Sequence, residues 1–196
     1  MTLAAVLLAG GESRRMGRDK ATLLLDGIPL WQRQLALLRH LSPSALLVSA
    51  RTPPPWLPAD ARFVADAAPA PLAGLAAALK AMPATHLLAL AIDLPAMTAA
   101  HLSTLWSAAA PGCGVLPWLA DRPEPLPAIY PAEALPIASR LLAGEDLSLR
   151  AFTQALLAAG QLKKHIIHSP DADLYANCNS PADWRRHAIH SASIHD

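Results

Sequence analysis

Short continuous apolar runs alternate along the chain with longer segments in which apolar residues recur at helical spacing. The clearest runs are 3–8 (LAAVLL), which ends at Gly10-Gly11, and 86–92 (HLLALAI), which ends at Asp93. Runs of this length, bounded by glycine or polar residues, are typical of strands buried on both faces of a parallel sheet. Weaker runs predict further strands at 45–48, 62–64, 115–118, 127–130 and 165–168.

The segments between these runs predict helices, with Pro29 near the start of the first and Thr98 as a suitable N-cap for the third. They are predicted at 28–41, 72–81, 98–109, 131–142 and 148–159, with a last helix beginning at Ser180-Pro181. Alternating strands and helices indicate an α/β sandwich with a mainly parallel sheet. The proline-rich stretch 52–60 (TPPPWLPAD) predicts a surface loop. We expect a single domain over 1–187 and a disordered tail at 188–196.

Composition narrows the class of protein. Hydrophobic residues make up 53% of the 196 positions and charged residues 16%, which is enough apolar surface for a core and excludes global disorder. A net charge of +1 argues against binding to nucleic acid or to an acidic membrane surface. No apolar run approaches the ~20 residues that span a bilayer, and no signal peptide is evident. Cys113 and Cys178 form no CxxC pair, so we expect a cytoplasmic protein without a disulfide scaffold.

The loop after the first strand carries the strongest chemical signal. Gly10, Gly11 and Gly17 let the backbone approach a ligand closely, and four cations fall within seven residues: Arg14, Arg15, Arg18 and Lys20. Backbone N–H groups and cations in this arrangement suit a triphosphate, although neither a Walker A nor a GxGxxG spacing is present. The alternative is an exposed basic turn with solvated charges. A Gly-Gly pair directly after a buried strand favours the phosphate-binding loop.

Asp93 gives a second signal because it ends an apolar strand. A carboxylate in that position is costly unless a cation or a donor meets it. It could be a Mg²⁺ ligand, since Mg²⁺ uses one or two carboxylates together with substrate phosphate oxygens. It could equally cap the turn toward Thr98. In parallel sheets the carboxyl ends of strands face one edge, so we expect Asp93 and the basic loop to meet there.

These residues resemble the signature of the molybdenum cofactor nucleotidyltransferases. Residues 8–20 (LAGGESRRMGRDK) match that family's LAGGxSxRMGxDK pattern, most closely its MobA-type guanylyltransferase branch. Further matches are 27–30 (GIPL), Asp66 with 71–74 (PLAG), 92–95 (IDLP) and 177–181 (NCNSP). The order agrees from residue 3 to about 187, which is nearly the whole chain.

The resemblance implies a three-layer Rossmann-like sandwich of the nucleotide-diphospho-sugar transferase type, which transfers GMP from GTP to molybdopterin with Mg²⁺. On the nucleotide side it implies roles for Leu8, Ala9, Gly10, Gly11, Lys20, Ser49, Asp66 and Asp93. Arg15 and Lys20 would neutralise the triphosphate, and Asp93 would hold the metal ion. On the pterin side it implies Arg122, Pro125, Asn177 and Asn179. Transient contacts with other proteins of molybdenum cofactor biosynthesis are also expected.

Some positions depart from the family pattern. Ser49 stands where an asparagine often contacts the nucleotide, and Ala70 replaces the first glycine of GPLAG. The shorter Ser49 side chain leaves open a molybdopterin cytidylyltransferase or a sugar-phosphate nucleotidyltransferase. An inactive nucleotide-binding regulator on the same fold is a further alternative. The presence of both Lys20 and Asp93 argues for an enzyme.

Overall fold

A computed structural model of the chain describes residues 1–10, 19–144 and 146–178. A mainly parallel sheet forms its middle layer, in the order β10-β7-β9-β6-β1-β4-β5 with β8 paired to β7, and a separate hairpin joins β2 and β3. The strands are β1 (Leu3–Leu8), β2 (Leu24–Leu25), β3 (Ile28–Pro29), β4 (Ala45–Ala50), β5 (Arg62–Ala65), β6 (His86–Ala91), β7 (Gly114–Leu119), β8 (Arg122–Pro123), β9 (Ala128–Pro131) and β10 (Leu162–Ile167).

Helices cover both faces of the sheet. They are α1 (Leu30–His40), α2 (Pro71–Ala81), α3 (Ala99–Ala108), α4 (Leu135–Leu142) and α5 (Leu149–Ala158), with 3₁₀ turns at Lys20–Thr22, Ala132–Ala134 and Ser169–Tyr175. One face packs against α1 and α3, and the other packs against α2, α4 and α5. The predicted three-layer α/β sandwich is thereby confirmed.

The central strand β1 shows why these runs are strands and why they stay in the middle. All six of its residues are buried, and they alternate between the two layers of core. Ala5 and Leu7 pack on the α1/α3 side, whereas Val6 and Leu8 pack on the α2 side. Burying each large aliphatic side chain contributes about 1.5–3 kcal/mol, so a polar residue within this strand would be costly on either face.

Several predicted boundaries differ from the observed ones. Helix α1 begins at Leu30, because the preceding residues form the β2–β3 hairpin around Asp26 (φ 53°) and Gly27 (φ 76°). The predicted helix 131–142 is divided into a 3₁₀ turn and α4, whose start is fixed by Pro136, which lacks an N–H and suits only a first turn. The last strand begins earlier than predicted, at Leu162, in register with β7. The predicted helix at Ser180-Pro181 and the tail at 188–196 lie outside the described residues.

The sheet is parallel except around β9 and β8. Strand β9 runs antiparallel to both β6 and β7, and β8 is antiparallel to β7. This brings the loop between β8 and β9 to the edge of the sheet where β1, β4 and β6 end. Within the described ranges, no helix is long and apolar enough to cross a membrane.

Candidate active site

The carboxyl ends of three parallel strands lie level with one another. Leu8 of β1 is paired with Ser49 of β4 on one side and with Ala91 of β6 on the other. The backbone N–H groups of Ala9 and Gly10 both donate to the Ser49 carbonyl, at 2.9 and 3.1 Å. The chain segments that follow these strands therefore converge, as the sequence predicted.

A cleft of about 330 Å³ opens at this edge of the sheet. This volume is within the range of small-molecule sites. Its lining comprises Leu8, Ala9, Gly10, Asp19, Lys20, Pro71, Ala91, Ile92, Asp93, Glu124, Pro125, Leu126, Leu149 and Asn177. Seven residues predicted for the site are among them: Leu8, Ala9, Gly10, Lys20, Asp93, Pro125 and Asn177. Ala9, Gly10 and Asp19 also line an adjoining hollow of about 260 Å³ beside the proline-rich loop.

Lys20 and Asp93 meet in this cleft. Lys20 Nζ donates to Asp93 Oδ2 at 3.4 Å, although 73 residues separate them in sequence. Both side chains are about one-fifth exposed, at 18% and 21%. Lys20 begins a 3₁₀ turn whose N-cap is Asp19, with Asp19 Oδ1 accepting from the backbone N–H of Ala21 at 3.0 Å. A cation and a carboxylate are thus held together at the end of β1 and β6.

The turn that carries Asp93 is fixed from two sides. Buried Gln34 of α1 donates from Nε2 to the carbonyl of Leu94 at 2.6 Å. The backbone N–H of Cys178 donates to the carbonyl of Asp93 at 2.9 Å. The second contact joins the segment of Asn177 to the Asp93 turn, which explains why two motifs 84 residues apart line one cleft.

The segment before Asn177 is anchored by a buried histidine. His101 of α3 is 7% exposed, and its Nε2 lies 2.7 Å from the hydroxyl of Tyr175. Burial lowers the pKa of His101, while the charge of Asp171, whose Oδ2 is 3.7 Å from Nδ1, acts in the opposite direction. Burial, assisted by the charges of Glu124 and Asp171, raises the pKa of Tyr175.

Asp66 and Ser49 form a polar pair beside the glycine loop. Ser49 is 1% exposed and its hydroxyl donates to Asp66 Oδ1 in a short hydrogen bond. A Cβ at Gly74 would lie 2.8 Å from Asp66 Oδ1, and one at Gly10 would lie 3.2 Å from Asp66 Cγ. Both glycines therefore leave the space that the carboxylate occupies. The hydroxyl of Ser49 is engaged by Asp66 in this structure, and the contact between Ser49 and the nucleotide stays a prediction.

The environment of Asp66 disfavours its charged form. Burial raises the pKa of this carboxyl group, and the Ser49 hydrogen bond and the charge of Arg51 oppose that effect. Asp66 does not itself line the 330 Å³ cleft, but it lies directly behind Gly10, which does. A carboxylate held here can accept hydrogen bonds from a ligand placed over the glycine backbone.

Arg122, predicted on the pterin side, reaches the cleft only through a neighbour. Its side chain is 75% exposed, and its Nε donates to Glu124 Oε1 at 3.1 Å. Glu124 lines the cleft instead; it belongs to the segment 122–126 (RPEPL), which resembles the pterin-facing segment of the family, but it was not itself chosen as a site residue. Burial raises the pKa of Glu124 against the opposing influence of Arg122.

Three predicted site residues, Gly11, Arg15 and Asn179, lie outside the described part of the chain. Six lining residues were missed besides Glu124: Asp19, Pro71, Ile92, Ala91, Leu126 and Leu149. The first three belong to the matched motifs and could have been selected from them. Leu149 lines the cleft from the start of α5, for which the sequence carries no comparable signal.

A magnesium ion fits the donors at Asp93. Among the described residues, no three His, Cys, Asp or Glu side chains converge to hold a metal ion. The cleft lining includes the Asp93 carboxylate and the amide of Asn177, which the Cys178–Asp93 backbone hydrogen bond ties to the same turn, besides the carboxylates of Asp19 and Glu124. One or two carboxylates completed by phosphate oxygens and water form the ligand set typical of Mg²⁺. The arrangement suits an ion bound jointly with a triphosphate.

The chain is similar to two molybdenum cofactor guanylyltransferases over nearly its whole length. The chain is 40% identical over 191 residues to "Probable molybdenum cofactor guanylyltransferase" of Opitutus terrae, covering 94% of both chains. It is 32% identical to the molybdenum cofactor guanylyltransferase of Xanthomonas euvesicatoria, covering 92% of both.

Solved structures show the same fold. Molybdopterin-guanine dinucleotide biosynthesis protein A from Archaeoglobus fulgidus matches with a TM-score of 0.73 at 20% identity, over 97% of this chain and 99% of that one. The 2-C-methyl-D-erythritol 4-phosphate cytidylyltransferase of Thermus thermophilus matches with a TM-score of 0.70 at 19% identity, over 98% of this chain and 100% of that one.

The family model for the MobA-like NTP transferase domain matches residues 5–162. The chain therefore belongs to the MobA-like NTP transferase family and is a nucleotidyltransferase.

Proposed function

We propose that the protein transfers GMP from GTP to the terminal phosphate of molybdopterin and releases pyrophosphate. A phosphate oxygen of molybdopterin forms a bond to the α-phosphorus of GTP, and the bond from that phosphorus to the bridging oxygen of pyrophosphate breaks. The observation that carries the proposal is the Lys20–Asp93 pair in a cleft that also brings Gly10, Pro125 and Asn177 together. The names of the relatives support guanine and molybdopterin as the substrates.

Lys20 supplies the positive charge in this reaction. Its 3.4 Å contact with Asp93 lies at a partly exposed site and is a modest attraction, so the charge of a triphosphate in the cleft would compete with it for the ammonium group. Charge builds up on the α-phosphate and on the leaving pyrophosphate in the transition state, and a preorganised cation stabilises it there. Arg15 is proposed to share this role, as the resemblance implies.

Asp93 and Asn177 would hold Mg²⁺, which when bound supplies further neutralisation of the phosphate oxygens. Asp93 orients its carboxylate from a turn fixed by Gln34 and Cys178. No side chain is needed as a general base, because a phosphate nucleophile is already ionised at neutral pH. The chain's own contribution is therefore positioning and electrostatic stabilisation.

Asp66 is proposed to contact the guanine of GTP. A carboxylate accepts hydrogen bonds only, and the guanine edge presents an adjacent ring N–H and amino group. Cytosine offers an amino group next to acceptor atoms, so it fits a lone carboxylate less well. GTP and molybdopterin are the partners this proposal requires, and transient contacts with other proteins of the same biosynthesis stay an expectation.

Nucleotide-dependent thermal stabilisation tests the proposal. GTP with Mg²⁺ at 100 times its dissociation constant should stabilise the protein by about 2.7 kcal/mol, and CTP, ATP and UTP at equal concentration should stabilise it less. Lys20→Ala should weaken the stabilisation by GTP, and Asp93→Ala should remove its dependence on Mg²⁺. Lys80→Ala, an exposed lysine on α2 outside the cleft, is the matched control and should leave both unchanged.

A transfer assay completes the test. Labelled GMP from GTP should appear on molybdopterin with the wild-type chain and be lost with Lys20→Ala and Asp93→Ala. Preference for CTP would replace the proposal with a cytidylyltransferase. Nucleotide binding without transfer would indicate the inactive regulator, and absence of any nucleotide effect would contradict the site itself.

A further inference from the structure

Glu124 places a negative charge in the wall of a cleft that should hold two polyanionic substrates. It lines the cleft together with Pro125 and Leu126. Its side chain is only 17% exposed, whereas that of its partner Arg122 is 75% exposed. The ion pair therefore turns its cation toward solvent and its carboxylate toward the cleft.

The backbone on both sides of this carboxylate is fixed by long-range contacts. The Glu124 N–H donates to the Pro117 carbonyl on β7 at 2.9 Å. The hydroxyl of fully buried Tyr130 on β9 donates to the Pro125 carbonyl at 2.7 Å. Glu124 is thus part of a preorganised wall, which is how binding groups are held in position.

The carboxylate has capacity for a further donor. Oε1 accepts from Arg122 Nε, and Oε2 takes no hydrogen bond from the described residues. A phosphate group placed here would be repelled, and burial already disfavours the charged form of the side chain. The partner that suits Oε2 is a neutral group bearing N–H donors.

The sheet places Glu124 on the opposite side of the catalytic pair from Asp66. Asp66 follows edge strand β5, beyond β1 and β4, whereas the β8–β9 loop lies on the other side of β6. Lys20 and Asp93 lie between them. If guanine occupies the Asp66 side, the second heterocycle of the reaction falls to the Glu124 side.

We propose that Glu124 determines specificity for the acceptor substrate by accepting hydrogen bonds from the ring N–H and amino group of its 2-amino-4-oxopyrimidine edge. This inference rests on the proposed function, because that function supplies a pterin as acceptor. A pterin presents those two donors side by side. The corresponding dione, lumazine, has a carbonyl in place of the amino group, and that carbonyl would face the carboxylate with a repulsive oxygen.

The test compares pterin and lumazine as fluorescent probes by anisotropy titration of the full chain. Wild-type protein should bind pterin about tenfold or more tightly than lumazine, the size expected for a hydrogen bond to a charged group. In Glu124→Gln the ratio should fall to near one, since the amide offers one acceptor and one donor. Glu133→Gln, an exposed glutamate outside the cleft, is the matched control and should keep the wild-type ratio.

Two further readouts separate this inference from its rivals. The KM for molybdopterin should rise about tenfold in Glu124→Gln, while stabilisation by GTP and Mg²⁺ stays at the wild-type value. A loss of Mg²⁺-dependent GTP binding in this variant would overturn the inference and make Glu124 a nucleotide or metal ligand. An unchanged pterin-to-lumazine ratio in an actively transferring enzyme would overturn it as well.

Failure of the proposed function has a different signature. In that case the wild-type chain itself would show no GMP transfer to molybdopterin. A wild-type chain that transfers GMP while Glu124→Gln behaves like Glu133→Gln would overturn the role of Glu124 alone.

Discussion

Gly74→Ala tests whether the Ser49–Asp66 pair needs the glycine beneath it. A Cβ at this position of α2 would lie 2.8 Å from Asp66 Oδ1, 3.3 Å from Leu8 Cδ2 and closer still to Ser49 Oγ. Ser49 is buried and its hydroxyl donates to Asp66, so neither side chain can yield without losing that contact. The substitution should therefore displace the carboxylate beside Gly10.

Two opposing terms set the expected magnitude. Alanine in a helix interior is about 1 kcal/mol more favourable than glycine. Overpacking a filled site costs about 1–3 kcal/mol. Gly74→Ala should accordingly lower the free energy of unfolding by up to about 2 kcal/mol in spite of its better helix propensity. If Asp66 contacts GTP, the affinity for GTP should fall about tenfold, which corresponds to about 1.4 kcal/mol.

Urea unfolding and GTP titration measure the two effects. Ala77→Gly, on a more exposed face of the same helix, calibrates the propensity term and should cost about 1 kcal/mol. Ser49→Ala removes the closest oxygen and should recover part of the stability lost in Gly74→Ala, as a double-mutant cycle would show. A Gly74→Ala protein that is about 1 kcal/mol more stable and binds GTP normally would refute the reasoning.

Two further perturbations follow from buried hydrogen bonds. Tyr130→Phe removes the hydroxyl that donates to the Pro125 carbonyl, and chemical unfolding should show a loss of about 1 kcal/mol; no loss would contradict the role of this anchor. Burial lowers the pKa of His101 from its ordinary 6.5. Below pH 6.5 the imidazole is therefore protonated more readily in the unfolded chain than in the folded chain. Thermal stability should therefore fall as pH drops from 6.5 through the lowered pKa of His101, more in wild type than in His101→Gln; equal slopes between pH 7.5 and 5.5 would contradict this.

The central part of the fold could be predicted because its strands are marked by uninterrupted burial. Runs 3–8 and 86–92 form two neighbouring parallel strands, β1 and β6. The first is followed by the glycine loop and the second by Asp93. The direction of β9 could not be predicted, since hydrophobic periodicity is the same for a parallel and an antiparallel strand. The β2–β3 hairpin was missed even though Asp26-Gly27 is a strong turn signal, because its strands are only two residues long.

The candidate site could be predicted where a motif follows a buried strand. Lys20 and Asp93 satisfied that condition, and the structure brings them together. Ser49 was placed correctly at the end of β4, but its contact with Asp66 depends on the space above Gly74, which no local pattern reveals. The resemblance indicated the segment that contains Glu124, but the place of its side chain in the cleft depends on the antiparallel pairing of β8 and β9 with β7, which the sequence did not predict.

The order of the strands accounts for the distribution of charge along the cleft. From β5 across β1 and β6 to the β8–β9 loop, the groups met in turn are Asp66, Lys20, Asp93 and Glu124. Among these four described groups, the outer carboxylates repel phosphates and Lys20 carries the positive charge, so the reacting phosphates would collect at the centre. The outer carboxylates suit neutral N–H donors, which are found on the two heterocycles of the proposed reaction and not on their phosphates. With a heterocycle at each end, the two phosphate chains approach each other over the Lys20–Asp93 pair, which is the geometry an in-line transfer between them requires.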